Sequence, residues 1–248
     1  MAFNTQSDFT GELDLPKNGL NSDVLTATIA RVEKNTLLSL LGDTLYEQFI
    51  ADHSGGGTFS KQKFQDLYDE VAWTYHTDDY GRELKNRKPG IKEMLRYFIY
   101  PEFGNHLRSK PSEASFGTPV SENTTVREGN EITGHLEHTY NKGVELYNRI
   151  RKFMLFFAEY TADATATVND GAGQYTFSVA DTKYIYAGDL IFVNGYVLTV
   201  DAVVADTSIQ ATEQNSNAAI SFGTPTVKWQ PFYAPGSVIK YKSILGGI

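Results

Sequence analysis

His135-Leu136-Glu137-His138 is the local motif in this 248-residue chain whose spacing suits a metal ion. Two histidines three apart on a helix share a face, and Glu131 stands one turn before the first of them. A zinc hydrolase places its histidines four apart around a glutamate and needs a third ligand, so solvated or core-edge histidines are the better reading. The adjacent carboxylates Asp78 and Asp79, beside Arg82 and Glu83, have the residue types for acid–base or metal chemistry. A charged loop that keeps the surface soluble is the better reading of them. Gly55-Gly56-Gly57 lacks the Lys-Ser/Thr of a phosphate-binding loop, and no strand leads into it. No nucleophile elbow is present, and the absence of Cys excludes thiolate ligands and nucleophiles. The expectation is no catalytic residue, no metal ligand, no cofactor and no enzymatic activity.

The elements that would have to position these residues change character near residue 160. Before it, apolar residues recur at helical spacing. A first helix, capped by Asn21 or Ser22, carries Leu25, Ile29, Val32, Leu37, Leu40 and Leu41, and Gly42 ends it. Asp43 opens a second with Leu45, Tyr46, Phe49 and Ile50. A third is expected from Ser60, with Phe64, Leu67, Tyr68, Val71, Ala72 and Tyr75 on one face, followed by a polar stretch from His76 to Lys88. The fourth begins after Pro89 and runs through Ile91, Leu95, Phe98, Ile99, Phe103 and Leu107, with a kink or break expected at Pro101. Residues 109–125 have loop composition, and a last helix of about 40 Å is expected from Glu131 to Glu159.

From Ala164 to Phe232 the pattern alternates and is broken by turn residues. Asn194-Gly195 predicts a type I′ hairpin pairing Val193 with Tyr196 and Ile191 with Leu198. Leu190, Phe192, Val197 and Thr199 fall on the opposite face, which is apolar enough to be at least partly covered. Further strands fit Gln174–Val179, Ala202–Val204, Ser208–Thr212 and Thr226–Phe232. The fold class is α+β, an N-terminal helical bundle followed by a small all-β barrel or sandwich, divided as 1–159, 160–232 and an extended segment at 233–248. That last segment is apolar and basic. Val238, Ile239, Tyr241, Ile244 and Leu245 would leave much apolar surface wet, so docking of Ser237 to Leu245 on a neighbouring subunit is expected.

A net charge of −8 argues against a dedicated nucleic-acid binder. The N-terminus has neither a basic start nor an apolar stretch, and Phe153 to Ala158 is too short to span a bilayer, so no membrane association is expected. With 15 Tyr and 15 Phe, the chain has aromatic surface enough for both a core and subunit contacts.

Three segments carry a family resemblance. Glu33 with Leu37-Leu38-Ser39-Leu40-Leu41-Gly42-Asp43-Thr44-Leu45-Tyr46 resembles the opening of the helical head–tail connector (adaptor ring) proteins of tailed phages. Leu95-Arg96-Tyr97-Phe98-Ile99-Tyr100, followed by Gly117-Thr118-Pro119-Val120, resembles a second landmark. Tyr140-Asn141-Lys142-Gly143-Val144 resembles the turn sequence of that family's long final helix. Together they cover about residues 20–155, and the chain is most similar to the ring proteins of crAss-like phages. The β region is an addition to the simple connector.

The resemblance implies a structural virion protein, a neck ring of about twelve copies beneath the portal, assembled in the host cytoplasm. Its partners would be itself, the portal protein and neighbouring ring or tail proteins, with genomic DNA passing through the channel without specific binding. Two alternatives differ in class. One is a virion adhesion or carbohydrate-binding module that stacks sugars on Trp229, Phe232 and Tyr233. The other is a metal-dependent hydrolase on His135 and His138.

Overall fold

Apolar spacing and a single glycine account for the first two helices. A computed structural model describes residues 2–15, 22–109, 129–168, 173–213, 222–232 and 239. Helix α1 (Ser22–Leu41) buries Leu25, Ile29, Val32, Leu37, Leu40 and Leu41, the stripe read from the sequence. Gly42 then takes φ 73°, a left-handed conformation that costs a residue without Cβ little, and α2 (Asp43–Asp52) starts at the next position. Its buried residues are Leu45 and Phe49.

The third helix is shorter than its periodicity suggested. α3 spans Gln62–Tyr68, and the chain then forms an antiparallel hairpin of β1 (Val71–Thr77) and β2 (Glu83–Lys88). Val71, Trp73 and Tyr75 alternate with a period of two, so residues at helical spacing from Phe64 also satisfy a strand. β-branched and aromatic side chains favour the strand. Trp73 is buried with its ring edge-on to Phe153 at 5.3 Å, whereas Ala72 and Tyr75 are exposed. The polar stretch from His76 to Lys88 is the end of β1, the hairpin's turn and β2.

α4 (Ile91–Ser109) continues through Pro101 as one helix, so no break of the kind expected near Tyr97–Pro101 occurs. α5 (Gly129–Phe156) is the long helix. The two helices approach closely at Gly143: a Cβ there would lie 3.2 Å from the Tyr97 Cβ and 3.4 Å from the Phe98 ring. Phe98 meets Tyr140 edge-on at 5.3 Å, and the Tyr147 hydroxyl donates to the Ser39 carbonyl at 2.8 Å, tying α5 to α1. Most of the 109–125 loop lies outside the described residues.

The chain divides into two compact units. Among the described residues the first comprises 2–15, 22–58, 65–109, 129–153 and 239, and the second 59–64, 154–168, 173–213 and 222–232. The second unit is built on seven strands: β3 (Tyr160–Asp163), β4 (Thr165–Val168), β5 (Gln174–Ser178), β6 (Leu190–Val193), β7 (Tyr196–Val204), β8 (Ser208–Glu213) and β9 (Thr226–Trp229). Their order across the sheet is β3-β9-β6-β7-β8-β5-β4, every neighbour antiparallel. The two outermost strands are halves of one extended segment that bends at Ala164, so the sheet curls into a nearly closed barrel. Ala164 and Ala166 donate from that bend to the Pro225 and Gly223 carbonyls, at 2.9 and 3.2 Å. Closure satisfies edge groups that an open sheet would leave unpaired.

Inward residues of each strand fill the barrel, among them Tyr175, Phe177, Ile191, Leu198, Ile209 and Val227. The turn signal at Asn194-Gly195 holds: φ is 50° and 88°, and Val193 pairs with Tyr196 and Ile191 with Leu198. The outer face of β6 and β7 is only partly covered. Leu190, Phe192 and Val197 on it are 44%, 38% and 41% exposed, and Thr199 is half-buried. The fold class is α+β with an antiparallel β-barrel.

Candidate functional site

The residues with chemical potential in the sequence are scattered. His135 and His138 are both exposed on α5, and His135 packs edge-on against the Tyr100 ring at 5.8 Å. The side chain of Glu131 lies outside the description. Among the described residues no group of three or more His, Asp or Glu is placed to hold one metal ion. Asp78 closes the β1–β2 turn: its carboxylate accepts from the Tyr80 amide at 3.0 Å, the Arg82 amide at 2.8 Å and the Arg82 Nε at 2.6 Å. These bonds, led by the Arg82 amide, hold its pKa below the ordinary aspartate value. Asp79 is exposed beside it. Gly55, Gly56 and Gly57 all have positive φ in the connection from α2 to α3.

The aromatic residues offered as a sugar platform are core. Trp229 is 2% and Phe232 1% exposed. Trp229 stacks on Tyr160 at 5.5 Å, and its Nε1 donates to the Lys183 carbonyl at 2.9 Å. Phe232 packs against Tyr184 at 5.7 Å. Alternation placed both as strand-end aromatics but carried no information on which face is inside; Tyr233 lies outside the described residues.

Three buried charges went unrecognised in the sequence. Lys88, at the end of β2, is fully buried, and its ammonium donates to the Leu67 carbonyl at 3.0 Å, the Pro89 carbonyl at 3.4 Å and the Asp69 carbonyl. Leu67 and Asp69 flank the C-terminus of α3, where unpaired carbonyls attract a cation. Desolvation outweighs the nearby carboxylates Asp66, Asp69 and Glu70 and lowers the Lys88 pKa to about 7. Lys63, 2% exposed in the second unit, lies 3.5 Å from Asp189 and over the Phe64 and Tyr186 rings at 5.2 and 5.5 Å.

Glu33 on α1 is the third. Its carboxylate accepts from the Phe3 amide, the Asn4 amide and the Asn4 side chain, each at 2.8 Å. Burial raises its pKa against those three hydrogen bonds. Glu33 therefore clamps the first residues of the chain to α1, with the Phe3 ring against Phe49 and Tyr68 at 5.7 and 5.8 Å. Glu33→Ala removes the shared acceptor of two main-chain donors. The loss should destabilise the first unit by about 2–4 kcal/mol, less than three charged hydrogen bonds because the desolvation cost of the carboxylate goes with it. Urea melts and exchange of the Phe3 and Asn4 amides measure this. Unchanged amide protection would show that the segment is held by Phe3 packing alone.

One concave feature of the first unit, among the described residues, is a groove of about 270 Å³ between α1, α4 and α5. Val32, Thr36, Phe98, Pro101 and Tyr140 line it, and the Arg31–Glu102 ion pair at 2.8 Å sits among its lining residues. Ile239, half-buried, lines the same groove. Of the five apolar residues expected at an interface, Ile239 is thus seen against the chain's own helices; Val238, Tyr241, Ile244 and Leu245 lie outside the described residues. Two exposed apolar surfaces accompany the groove. One is the outer barrel face of Leu190, Phe192 and Val197. The other is the β1–β2 hairpin, where Tyr75, Tyr80 and Leu84 are 46%, 86% and 44% exposed.

The helices and the antiparallel barrel define an α+β protein. No family model, curated protein or solved structure matches the chain. No helix among the described residues is long and apolar enough to cross a membrane.

Proposed function

We propose that this protein is a ring-forming head–tail connector subunit of a tailed phage, and that its first unit is the connector's helical bundle. The reading rests on the sequence resemblance. One structural observation supports it: the segments that carry the resemblance pack on one another. Glu33 and Ser39 of the first landmark, Tyr97 and Phe98 of the second, and Tyr140 and Gly143 of the third lie on α1, α4 and α5; the Phe98 and Tyr140 rings meet at 5.3 Å, and Gly143 faces Tyr97 and Phe98 so closely that a Cβ there would crowd them. Tyr147, one turn beyond the third landmark, bonds Ser39 of the first.

In this reading the ring sits below the portal in the virion neck and forms part of the DNA channel. An acidic chain of net charge −8 lining that channel would let DNA pass without gripping it. The exposed hairpin and outer barrel face would meet other subunits, the portal or the next ring. The segment with Val238, Ile239, Tyr241, Ile244 and Leu245 would add a further contact between copies.

Negative-stain imaging and mass photometry of the purified 27.6 kDa chain test the proposal. The expected particle is a closed ring of about twelve copies with a central channel, as cyclic symmetry requires. Monomers alone, both with and without the portal protein present, would overturn it.

A further inference from the structure

Three consecutive glycines in the first unit carry the chain out of α2 in a conformation that only glycine adopts at little cost. Gly55, Gly56 and Gly57 have φ of 93°, 61° and 81°. Such a run gives up much backbone freedom on closing, so a few contacts decide whether it stays closed. His53 supplies two of them. Its Nδ1 accepts from the Gly55 amide at 3.2 Å and its Nε2 from the Gly57 amide at 3.3 Å. The Gln65 Nε2 donates to the Gly57 carbonyl at 3.2 Å, and a Cβ on Gly57 would lie 2.6 Å from the Tyr68 ring. The imidazole itself meets the Phe3 ring edge-on at 5.1 Å.

An imidazole nitrogen accepts a hydrogen bond only while it carries no proton. A neutral ring always has one such nitrogen, and its two tautomers serve the two amides in turn. A protonated ring has none and sets N–H against N–H at both glycines. We propose that His53 is a proton-operated latch: neutral, it holds the Gly55–Gly57 loop closed on Tyr68, and protonated, it lets the loop go. The latch goes beyond the connector reading and does not rest on it. Burial lowers the His53 pKa from its ordinary 6.5, the sign this geometry requires. The closed loop therefore binds fewer protons than the open one. Its closure is present above the open-state pKa of about 6.5 and is lost as pH falls toward the lower folded value.

The titratable groups around the ring come from each neighbouring element. Asp52 precedes it at the end of α2, Glu33 of α1 holds the Phe3 amide, and Tyr68 of α3 touches both Phe3 and Gly57. Lys92 of α4 acts on Tyr68 and pairs with Asp8 of the N-terminal segment at 2.7 Å. Glu33, raised by burial, favours the folded state on acidification, so its linkage has the opposite sign. Asp8, lowered from 3.8, titrates only in stronger acid.

Hydrogen exchange of the full chain tests the latch, read by mass spectrometry on peptides spanning 53–58 and corrected for the intrinsic rate. From about pH 7.5 to 6.5 the expected protection is constant, and below that it falls by up to about tenfold per pH unit. His53→Gln keeps an oxygen acceptor and cannot titrate, so its protection should not change over this range. Constant protection in the unsubstituted protein overturns the latch. An equal fall in His53→Gln also overturns it, because the dependence then belongs to another group. Exchange of the His53 C2 hydrogen reports the ring's own titration in the unsubstituted chain, whether or not the variant folds. A midpoint below 6.5 is expected, and one at or above 6.5 overturns the proposal.

Discussion

Lys88→Met should abolish a pH dependence of stability that the unsubstituted protein shows between pH 7 and 10.5. In the folded chain burial lowers the Lys88 pKa to about 7; unfolded, the amine returns to about 10.5. The sign follows directly. As pH falls through that window the unfolded state takes up a proton that the folded state declines, so stability is present above the unfolded pKa and is lost as pH falls through the folded one. The slope approaches about 1.4 kcal/mol per pH unit, and the whole window is worth about 5 kcal/mol. Methionine keeps the length and apolar stem but cannot titrate. It also leaves the Leu67, Asp69 and Pro89 carbonyls without their shared donor, a cost that does not vary with pH. The quantity to follow is the difference in unfolding free energy between the two proteins at several pH values. Trp73 is a suitable reporter, since its ring touches Phe153, over which the Lys88 ammonium lies at 5.2 Å. A difference that stays constant from pH 7 to 10.5 would mean that the buried amine is charged throughout.

Trp229→Ala should cost the barrel about 3–5 kcal/mol, the range for a large aromatic removed from a packed core. Trp229 is the end of a three-ring stack: Tyr160 lies parallel to it at 5.5 Å, and Phe157 parallel to Tyr160 at 6.0 Å. Its Nε1 also holds the Lys183 carbonyl, and the next residue, Tyr184, is buried at φ 62°. A bulky residue in that left-handed conformation is strained and persists because its ring is trapped against Phe157, Tyr160 and Phe232. Removing the indole takes away both the stack and the tether on the strained turn. Trp229→Phe separates the two effects, as it keeps most of the stack and loses the hydrogen bond at about 1 kcal/mol. The chain has two tryptophans, one in each unit. Trp73 fluorescence in the Trp229→Ala protein therefore tracks the first unit, while circular dichroism follows the barrel. A barrel transition unmoved by the alanine would place the stability of this unit outside the aromatic stack.

What the sequence determined by itself is what local rules decide. α1 and α2 are readable because their apolar stripes are long and Gly42 supplies the one left-handed turn between them. The β6–β7 register is readable because Asn194-Gly195 sets the twist of the two-residue turn, after which pairing is arithmetic. The boundary from helices to strands near residue 160 is readable because the hydrophobic period changes there. Tertiary structure decided the rest. Val71 and Tyr75 satisfy either period, and the burial of Trp73 against Phe153, far along the chain, favours the strand. The segment 160–168 carries weak alternation, and it becomes both ends of the barrel because Tyr160 pairs with Trp229 while Val168 pairs with Tyr175. Glu33 and Lys88 look like ordinary solvated charges in one dimension. They are buried because each finds several partners at once, Glu33 in the amides of residues 3 and 4 and Lys88 in carbonyls at 67, 69 and 89. The groove beside Ile239 draws on α1, α4 and α5 at positions up to about a hundred residues apart, and no periodicity within any one helix reports where three helices meet.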